Sequence, residues 1–79
     1  MHLNVLFFGA TADITGQRRV EVAIAPETTA SEVSQNVIAE YPRLASHKIH
    51  ISLNQQYATG DEIVCDGDEL AIFTAVSGG

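Results

Sequence analysis

The sequence predicts an α+β fold in which one main helix covers one face of a single sheet. Three observations lead to this prediction. The chain has 79 residues, which is the length of one small domain. Several short segments alternate apolar and polar residues in the manner of strands. One segment combines a helix start signal with helical spacing of apolar residues. We therefore expect residues 1–79 to form a single domain with one core.

Two strands and a turn are predicted at the start of the chain. Residues 3–8 are predicted to form a strand, and residues 19–24 alternate clearly between apolar and polar. Gly16 lies in a turn signal between them, so we expect a hairpin. The side chains expected on the core face are Leu3, Val5 and Phe7, followed by Val20, Val22 and Ile24.

The main helix is predicted to begin after Thr29. Thr29 and Glu32 have the spacing of a capping box, in which each side chain bonds the other residue's backbone N–H. The apolar residues of one helical face are Ala30, Val33, Val37 and Tyr41. Pro42 cannot continue the helical hydrogen bonds, so we expect the helix to end there.

The second half of the chain predicts two more strands and a weaker third. Residues 49–53 alternate again, and Asn54-Gln55 is a plausible turn. Residues 63–64 form a short strand at best. A turn signal at 66–68 precedes a last strand at 70–74. The predicted order is thus β-β-α-β-(β)-β, a sheet of four to five strands under one helix.

The first and last strands are apolar on both faces, unlike the other strands. Arg19 and Glu21 make the outer face of one strand polar, as His50 and Ser52 do in another. By contrast, one set of apolar side chains has no helix left to bury it, and we call it the outer patch: Leu6, Phe8, Ala71 and Phe73. If the two strands are adjacent, the outer patch is a protein-docking surface. The alternative is ordinary scattered surface apolar residues.

Composition narrows the classes of partner. Ten acidic residues against four basic ones give a formal net charge of -6, which disfavours nucleic acid and favours a basic protein surface. No apolar run approaches the ~20 residues of a membrane span. The N-terminal segment lacks the features of a secretory signal, and the lone Cys65 suits a reducing compartment. We therefore expect a cytoplasmic protein that binds neither membrane nor nucleic acid.

The candidates for internal chemistry are weak. Cys65 lies beside Asp66 and has no histidine near it in sequence, so a nucleophilic role is not expected. His47 and His50 offer too few ligands for zinc, and we expect no metal site. Half of the acidic residues fall within residues 61–69: Asp61, Glu62, Asp66, Asp68 and Glu69. This segment is either a solvated acidic rim or a docking site for a basic partner.

The last two residues, Gly78 and Gly79, carry the strongest functional signal. A C-terminal carboxylate becomes a useful electrophile when it is activated as an acyl-adenylate. Glycine has no Cβ to obstruct a narrow channel and allows an extended tail to enter another protein's active site. We expect residues 75–79 to form a flexible tail outside the core, with Gly79 as the reacting residue and Gly78 required to be small.

Several motifs resemble the ubiquitin-like sulfur-carrier family, which includes the small subunit of molybdopterin synthase and the carrier of the thiamin pathway. The matching segments are Val-Leu-Phe-Phe at 5–8, Leu-Asn-Gln at 53–55, Asp-Gly-Asp-Glu-Leu at 66–70, Phe73, and Val-Ser-Gly-Gly at 76–79. The Val-Ser-Gly-Gly ending favours the molybdopterin branch. Thr74-Ala75 stands where the family often has Pro-Pro, and Ala12-Asp13 stands where it commonly has Arg-Glu.

The resemblance implies a β-grasp fold with the first and last strands central and adjacent. It also implies that a separate activating enzyme uses ATP to adenylate Gly79 and that a sulfur donor converts it to a thiocarboxylate. The tail, including Val76 and Ser77, is then expected to enter the large subunit of molybdopterin synthase, which supplies the catalytic side chains. There sulfur passes to a cyclic pterin phosphate precursor. No bound cofactor is expected on the carrier.

Three alternatives remain open at this stage. The chain could be a carrier for another sulfur pathway, such as thiamin, cysteine or a secondary metabolite. It could be a protein modifier that forms an isopeptide bond through Gly79. It could also be an interaction module whose terminal glycines are incidental.

Overall fold

The computed structural model describes residues 1–74, and the predicted tail at 75–79 lies outside the described residues. The strands are β1 (His2–Phe7), β2 (Arg19–Ala23), β3 (Ile49–Leu53), β4 (Gln56–Tyr57) and β5 (Glu69–Thr74). The helices are α1 (Ala10–Thr15), α2 (Ala30–Glu40) and a 3₁₀ helix at Pro42–Ser46. No helix in this described part of the chain is long and apolar enough to cross a membrane.

The strands form one mixed sheet in the order β2-β1-β5-β3-β4. β1 and β5 lie side by side in the middle and run parallel, whereas the other neighbouring strands are antiparallel. The prediction that the first and last strands are central and adjacent is therefore confirmed. Alternation then sends one side of each strand to the core and the other to the open face.

The core lies between this sheet and α2. Its buried apolar side chains are Leu3, Val5, Phe7, Ala30, Val33, Val37, Leu44, Val64, Leu70 and Ile72. The predicted capping box is present, since the Thr29 hydroxyl accepts from the Glu32 N–H and the Glu32 carboxylate accepts from the Thr29 N–H. α2 ends at Glu40, and Pro42 begins the 3₁₀ helix, where its missing N–H costs nothing.

The connection between β1 and β2 differs from the prediction. A simple turn was expected around Gly16, but the chain forms helix α1 and Gly16 is its left-handed C-cap, with φ at 71°. The antiparallel pairing of β1 with β2 is nevertheless confirmed. The six-residue α1 is too short to show a long apolar period. Its fully buried side chain is Thr11, and Ala12 and Ile14 pack partly buried against the core.

The fifth strand also lies elsewhere than predicted. It is β4 at Gln56–Tyr57, whereas Ile63 forms only an isolated bridge with Thr29. The predicted turn at Asn54-Gln55 is confirmed, and both residues adopt positive φ angles of 50° and 70°, as a tight two-residue hairpin turn requires. That turn folds β4 back onto β3 and forms the second edge of the sheet.

Candidate functional site

The face of the sheet that α2 leaves open carries the outer patch. The parallel register sets Leu6 beside Ala71, and the next pairing sets Ala71 beside Ser52. Leu6, Ala71 and Phe73 are half-buried. Phe8, directly after β1, is 53% exposed, although its N–H still donates to the Ile72 carbonyl at 3.2 Å. The outer-patch residues of the two strands therefore share one face, as the sequence pattern predicted.

Phe73 is the centre of an aromatic cluster. The His50 ring stacks on it at a centroid distance of 5.9 Å with an interplanar angle of 24°. The Tyr57 ring lies tilted at the same distance on β4 and is 82% exposed. A large exposed aromatic ring next to a half-buried one is typical of interface hot spots. The cluster extends the outer patch towards the β4 edge.

Sequence reasoning did not assign Tyr57 or His50 to this surface. His50 was grouped with polar outer residues, but its Nε2 atom is buried and has no hydrogen-bond partner in the described part of the chain. The ring therefore contributes packing surface rather than a polar contact. The sequence could have indicated that Tyr57 lies on this surface. A two-residue turn at Asn54-Gln55 places Tyr57 opposite Ser52, which was assigned to the outer face.

Thr11 holds the end of β1 in position beside β5. Its buried hydroxyl lies 2.8 Å from both the Phe8 and the Ile72 carbonyl oxygens, to either of which it can donate. The same oxygen accepts from the Phe8 N–H at 3.0 Å. One side chain thus links α1, the residue after β1 and the central strand β5. This arrangement fixes Phe8 relative to β5 and so to the other outer-patch residues.

Arginine borders the outer patch on the β2 side. Arg19 lies beside Leu6 in the sheet register, and its guanidinium donates to the Asn4 side-chain oxygen at 2.9 Å. A groove of about 820 Å³ runs past Leu6, Phe8 and both Arg18 and Arg19. An apolar surface with a cationic border is suited to a partner that offers apolar side chains and a carboxylate.

Three carboxylates of the acidic segment accept hydrogen bonds from backbone N–H groups. Asp66 accepts from the His2 N–H at 2.7 Å, and Asp68 accepts from the Cys65 N–H at the same distance. Glu62 accepts from the N–H of Thr59 at 2.8 Å and from that of Gly60 at 2.9 Å. These carboxylates order loops by satisfying backbone donors.

The pKa of Glu62 is lowered from the ordinary value of 4.5. The first cause is the hydrogen bond from the Thr59 N–H, followed by those from Glu62 itself and from Gly60. Such bonds stabilise the charged carboxylate over the neutral acid. Glu62 is consequently a structural anion of the 59–62 loop.

No internal catalytic or metal-binding cluster emerges in residues 1–74. Cys65 is an exposed free thiol. Within the described residues, no group of three or more His, Cys, Asp and Glu side chains is placed to hold a metal ion. The predicted residues Val76, Ser77, Gly78 and Gly79 lie outside the described residues, and Thr74 at the end of β5 directly precedes that segment.

Residues 5–79 match the ThiS family. The chain belongs to the ThiS family. Among curated relatives of this ThiS-family chain, the molybdopterin synthase sulfur carrier subunit of Mycobacterium tuberculosis is 32% identical, and the match covers 98% of this chain and 96% of the relative. The resemblance drawn from the sequence motifs is thereby confirmed.

Solved structures confirm the fold of this ThiS-family chain as a ubiquitin-like β-grasp. The crystal structure of SAMP1, the small archaeal modifier protein 1 of Haloferax volcanii, matches with a TM-score of 0.88 and 27% identity, covering all of both chains. A complex of subunits 1 and 2 of molybdopterin-converting factor from Helicobacter pylori matches with a TM-score of 0.72 and 22% identity, again covering both chains completely.

Proposed function

We propose that this protein is the sulfur carrier subunit of a molybdopterin synthase. The observation that carries the proposal is the match to the M. tuberculosis sulfur carrier subunit over nearly the full length of both chains. The family match extends to residue 79 and so includes the Val-Ser-Gly-Gly segment. In this proposal Gly79 bears the sulfur, and the outer patch docks the large subunit.

The carrier chemistry proceeds in two balanced steps. The Gly79 carboxylate attacks the α-phosphate of ATP, which forms an acyl-adenylate and releases pyrophosphate. A hydrosulfide equivalent from a sulfur donor then attacks the acyl carbon, the carbon–oxygen bond to AMP breaks, and a thiocarboxylate remains. Both steps belong to a separate activating enzyme and donor. Because ATP and reduced thiols are needed, we place this chemistry in the cytoplasm.

The outer patch supplies the docking that the tail needs. Five residues beyond Thr74 span at most about 17 Å when fully extended. The Gly79 carboxylate can therefore reach a neighbouring active site only when the partner lies directly against this end of the sheet. Phe73, next to Thr74 in β5, brings an aromatic anchor to the base of the tail. The large subunit then transfers sulfur to the cyclic pterin phosphate precursor.

Reconstitution tests this function. Thiocarboxylated protein is mixed with a molybdopterin synthase large subunit and the cyclic pterin phosphate precursor, and dithiolene product is measured. We expect product in proportion to the thiocarboxylate supplied, and none from protein that still carries the carboxylate. If fully thiocarboxylated protein gives no product with an active large subunit, the protein carries sulfur in another pathway, such as thiamin or cysteine synthesis.

A second candidate is a protein modifier joined through Gly79 to lysine side chains. The similarity to the small archaeal modifier protein of H. volcanii favours it, since that chain is 27% identical over its full length. The two functions share the adenylation step and differ in the acceptor. Expression of a tagged protein in its own cells distinguishes them. A carrier gives only the free protein, whereas a modifier gives a ladder of larger conjugates.

A further inference from the structure

The edge strand β2 borders an open groove on the helix side of the sheet. This groove lies between β2 and α2 and has a volume of about 340 Å³. Its apolar lining side chains are Val20, Val22, Ile24, Val33, Val37 and Tyr41. The inward side chains of β2 are only half-buried, whereas Leu3 and Val5 in the neighbouring strand are fully buried. α2 therefore leaves the inner face of β2 partly open.

The free edge of β2 also presents backbone hydrogen-bonding groups. In the described part of the sheet, β2 pairs with β1 alone. The Ile24 N–H donates towards β1, to the Met1 carbonyl at 2.8 Å. Because successive residues of an antiparallel strand point their backbone groups to opposite sides, every second residue faces the open edge. These residues are Arg19, Glu21 and Ala23.

The groove has an acidic rim. Glu40 from the last turn of α2 lines it together with Asn36. Glu21 lines it from β2, although strand alternation places the Glu21 side chain on the outer face of the sheet with that of Arg19. Among the described residues that line the groove, none is a lysine or arginine. The groove thus combines an apolar floor, unpaired backbone groups and negative charge. Each of these favours a different part of the same ligand.

We propose that the β2 edge and the β2–α2 groove bind an extended, basic segment of a partner protein, which pairs with β2 as an added strand. Its backbone bonds the edge groups of β2, and its alternate apolar side chains enter the groove. A lysine or arginine of the segment lies beside Glu21 or Glu40. A second copy of this chain is a poorer occupant, because each copy carries a formal net charge of -6 and like-charged molecules repel each other.

This inference goes beyond sulfur transfer, because the groove and the outer patch lie on different sides of the sheet. The outer patch occupies the face that α2 leaves open, whereas the groove lies on the α2 side at the β2 edge. The carrier can therefore hold a basic segment while its outer face docks another protein. The segment serves as a tether that recruits the carrier independently of the chemistry at Gly79.

A synthetic peptide tests the proposal. The probe is the blocked heptapeptide Lys-Val-Thr-Val-Thr-Ile-Lys, and its control replaces both lysines with glutamate. Titrated into isotope-labelled protein, the probe is expected to shift the amide resonances of β2 and α2 and to protect the Ala23 amide from hydrogen exchange. Outer-patch amides such as those of Phe73 and Ala71 are expected to stay unchanged.

Three variants make the test specific. Ala23→Pro removes one edge N–H at a position where an edge strand tolerates proline, and we expect about three- to tenfold weaker binding. Ala23→Ser keeps that N–H and serves as its matched control. Glu40→Lys reverses a rim charge and is expected to weaken binding by about two- to fivefold, which keeps the test valid if the proline variant fails to fold.

Each outcome of the peptide titration either supports or overturns the proposal. Shifts confined to β2 and α2, lost with the glutamate peptide and reduced in Ala23→Pro and Glu40→Lys, support the proposal. Equal binding of both peptides, shifts on the outer patch instead, or no shifts at millimolar peptide would overturn it. Thiocarboxylate formation at Gly79 is expected to be the same in Glu40→Lys as in wild type, so a failure of this proposal leaves the sulfur-carrier function standing.

Discussion

At the scale of single residues, Thr11 shows how a polar side chain organises an apolar core. It is fully buried, yet its hydroxyl has backbone partners in both the β1 end and β5. A buried hydroxyl without such partners would be destabilising, whereas a bonded one fixes geometry. The position of Phe8 within the outer patch depends on these bonds.

Replacing Thr11 with valine is expected to lower the free energy of unfolding. Valine keeps the shape but leaves backbone groups without the hydroxyl, which costs about 1–3 kcal/mol. Urea denaturation measures the loss. Thr11→Ser retains the hydroxyl and is expected to lose less. A valine variant as stable as wild type would show that these hydrogen bonds do not hold β1 to β5.

Tyr57 is the second residue whose role can be isolated. Its side chain is 82% exposed, so Tyr57→Ala is expected to leave stability nearly unchanged. If the outer patch docks the large subunit, the same substitution should weaken that complex by about tenfold, the loss typical of an aromatic anchor. Calorimetric titration gives the affinity.

The control for Tyr57 is Gln56→Ala on the same strand. Gln56 is also exposed, and its side chain points to the other face of the sheet by strand alternation. We expect its affinity for the large subunit to equal that of wild type. Equal affinities for both variants would place the docking surface away from the β4 edge.

At the scale of elements, the 59–62 loop depends on an ionised carboxylate. The backbone hydrogen bonds that lower the pKa of Glu62, first of all that from Thr59, are stronger to the charged carboxylate than to the neutral acid. A lowered folded-state pKa contributes stability above the unfolded pKa, and this contribution is lost as pH falls through the folded value. The loop bridges to α2, because the Ser31 N–H donates to the Gly60 carbonyl at 2.9 Å.

Glu62→Gln is accordingly expected to be less stable than wild type at neutral pH. The difference should shrink on acidification below pH 4.5, the ordinary value for the carboxyl. Thermal unfolding at a series of pH values measures it. Asp61→Asn removes the same charge from a neighbouring position and is the matched control for the loss of charge alone. A constant gap between wild type and Glu62→Gln would mean that ionisation of Glu62 does not stabilise the loop.

The elements that the sequence predicted carry a clear local pattern. β2 and β3 alternate apolar and polar residues, whereas β1 and β5 are apolar on both faces. α2 carries both a capping box and an apolar stripe. α1 was missed because its six residues are too few to show a helical period: Thr11 is buried, and only Ala12 and Ile14 pack as apolar residues against the core. β4 was missed because two residues cannot show a period, and its existence follows from the turn before it.

At the scale of the whole molecule, prediction of the candidate site depended on the order of the strands in the sheet. The outer patch followed from two strands that are apolar on both faces, once they were placed side by side. His50 joins Phe73 only through the β3–β5 register, which local patterning does not specify. The roles of the acids in the loops likewise depend on chain segments far apart in sequence, such as His2 and Asp66.

The proposed function assigns a separate role to each part of the molecule. In the proposed function, the sheet and one helix form the base, the open face docks the partner, and the terminal residue carries the reacting atom. Cys65 is exposed but takes no part in this scheme. The proposed function therefore requires that sulfur is carried on Gly79 and nowhere else in the chain.

The residue that carries the sulfur can be identified by intact-mass measurement. The protein is first incubated with an activating enzyme, ATP and a sulfur source. Wild type and Cys65→Ser are both expected to gain the mass difference of one oxygen-to-sulfur exchange, located by fragmentation in the C-terminal peptide. The variant that lacks Gly79 should gain nothing, because its carboxylate is set back by about 3.5 Å. Modification of that variant at the wild-type rate, or loss of modification in folded Cys65→Ser, would contradict the account.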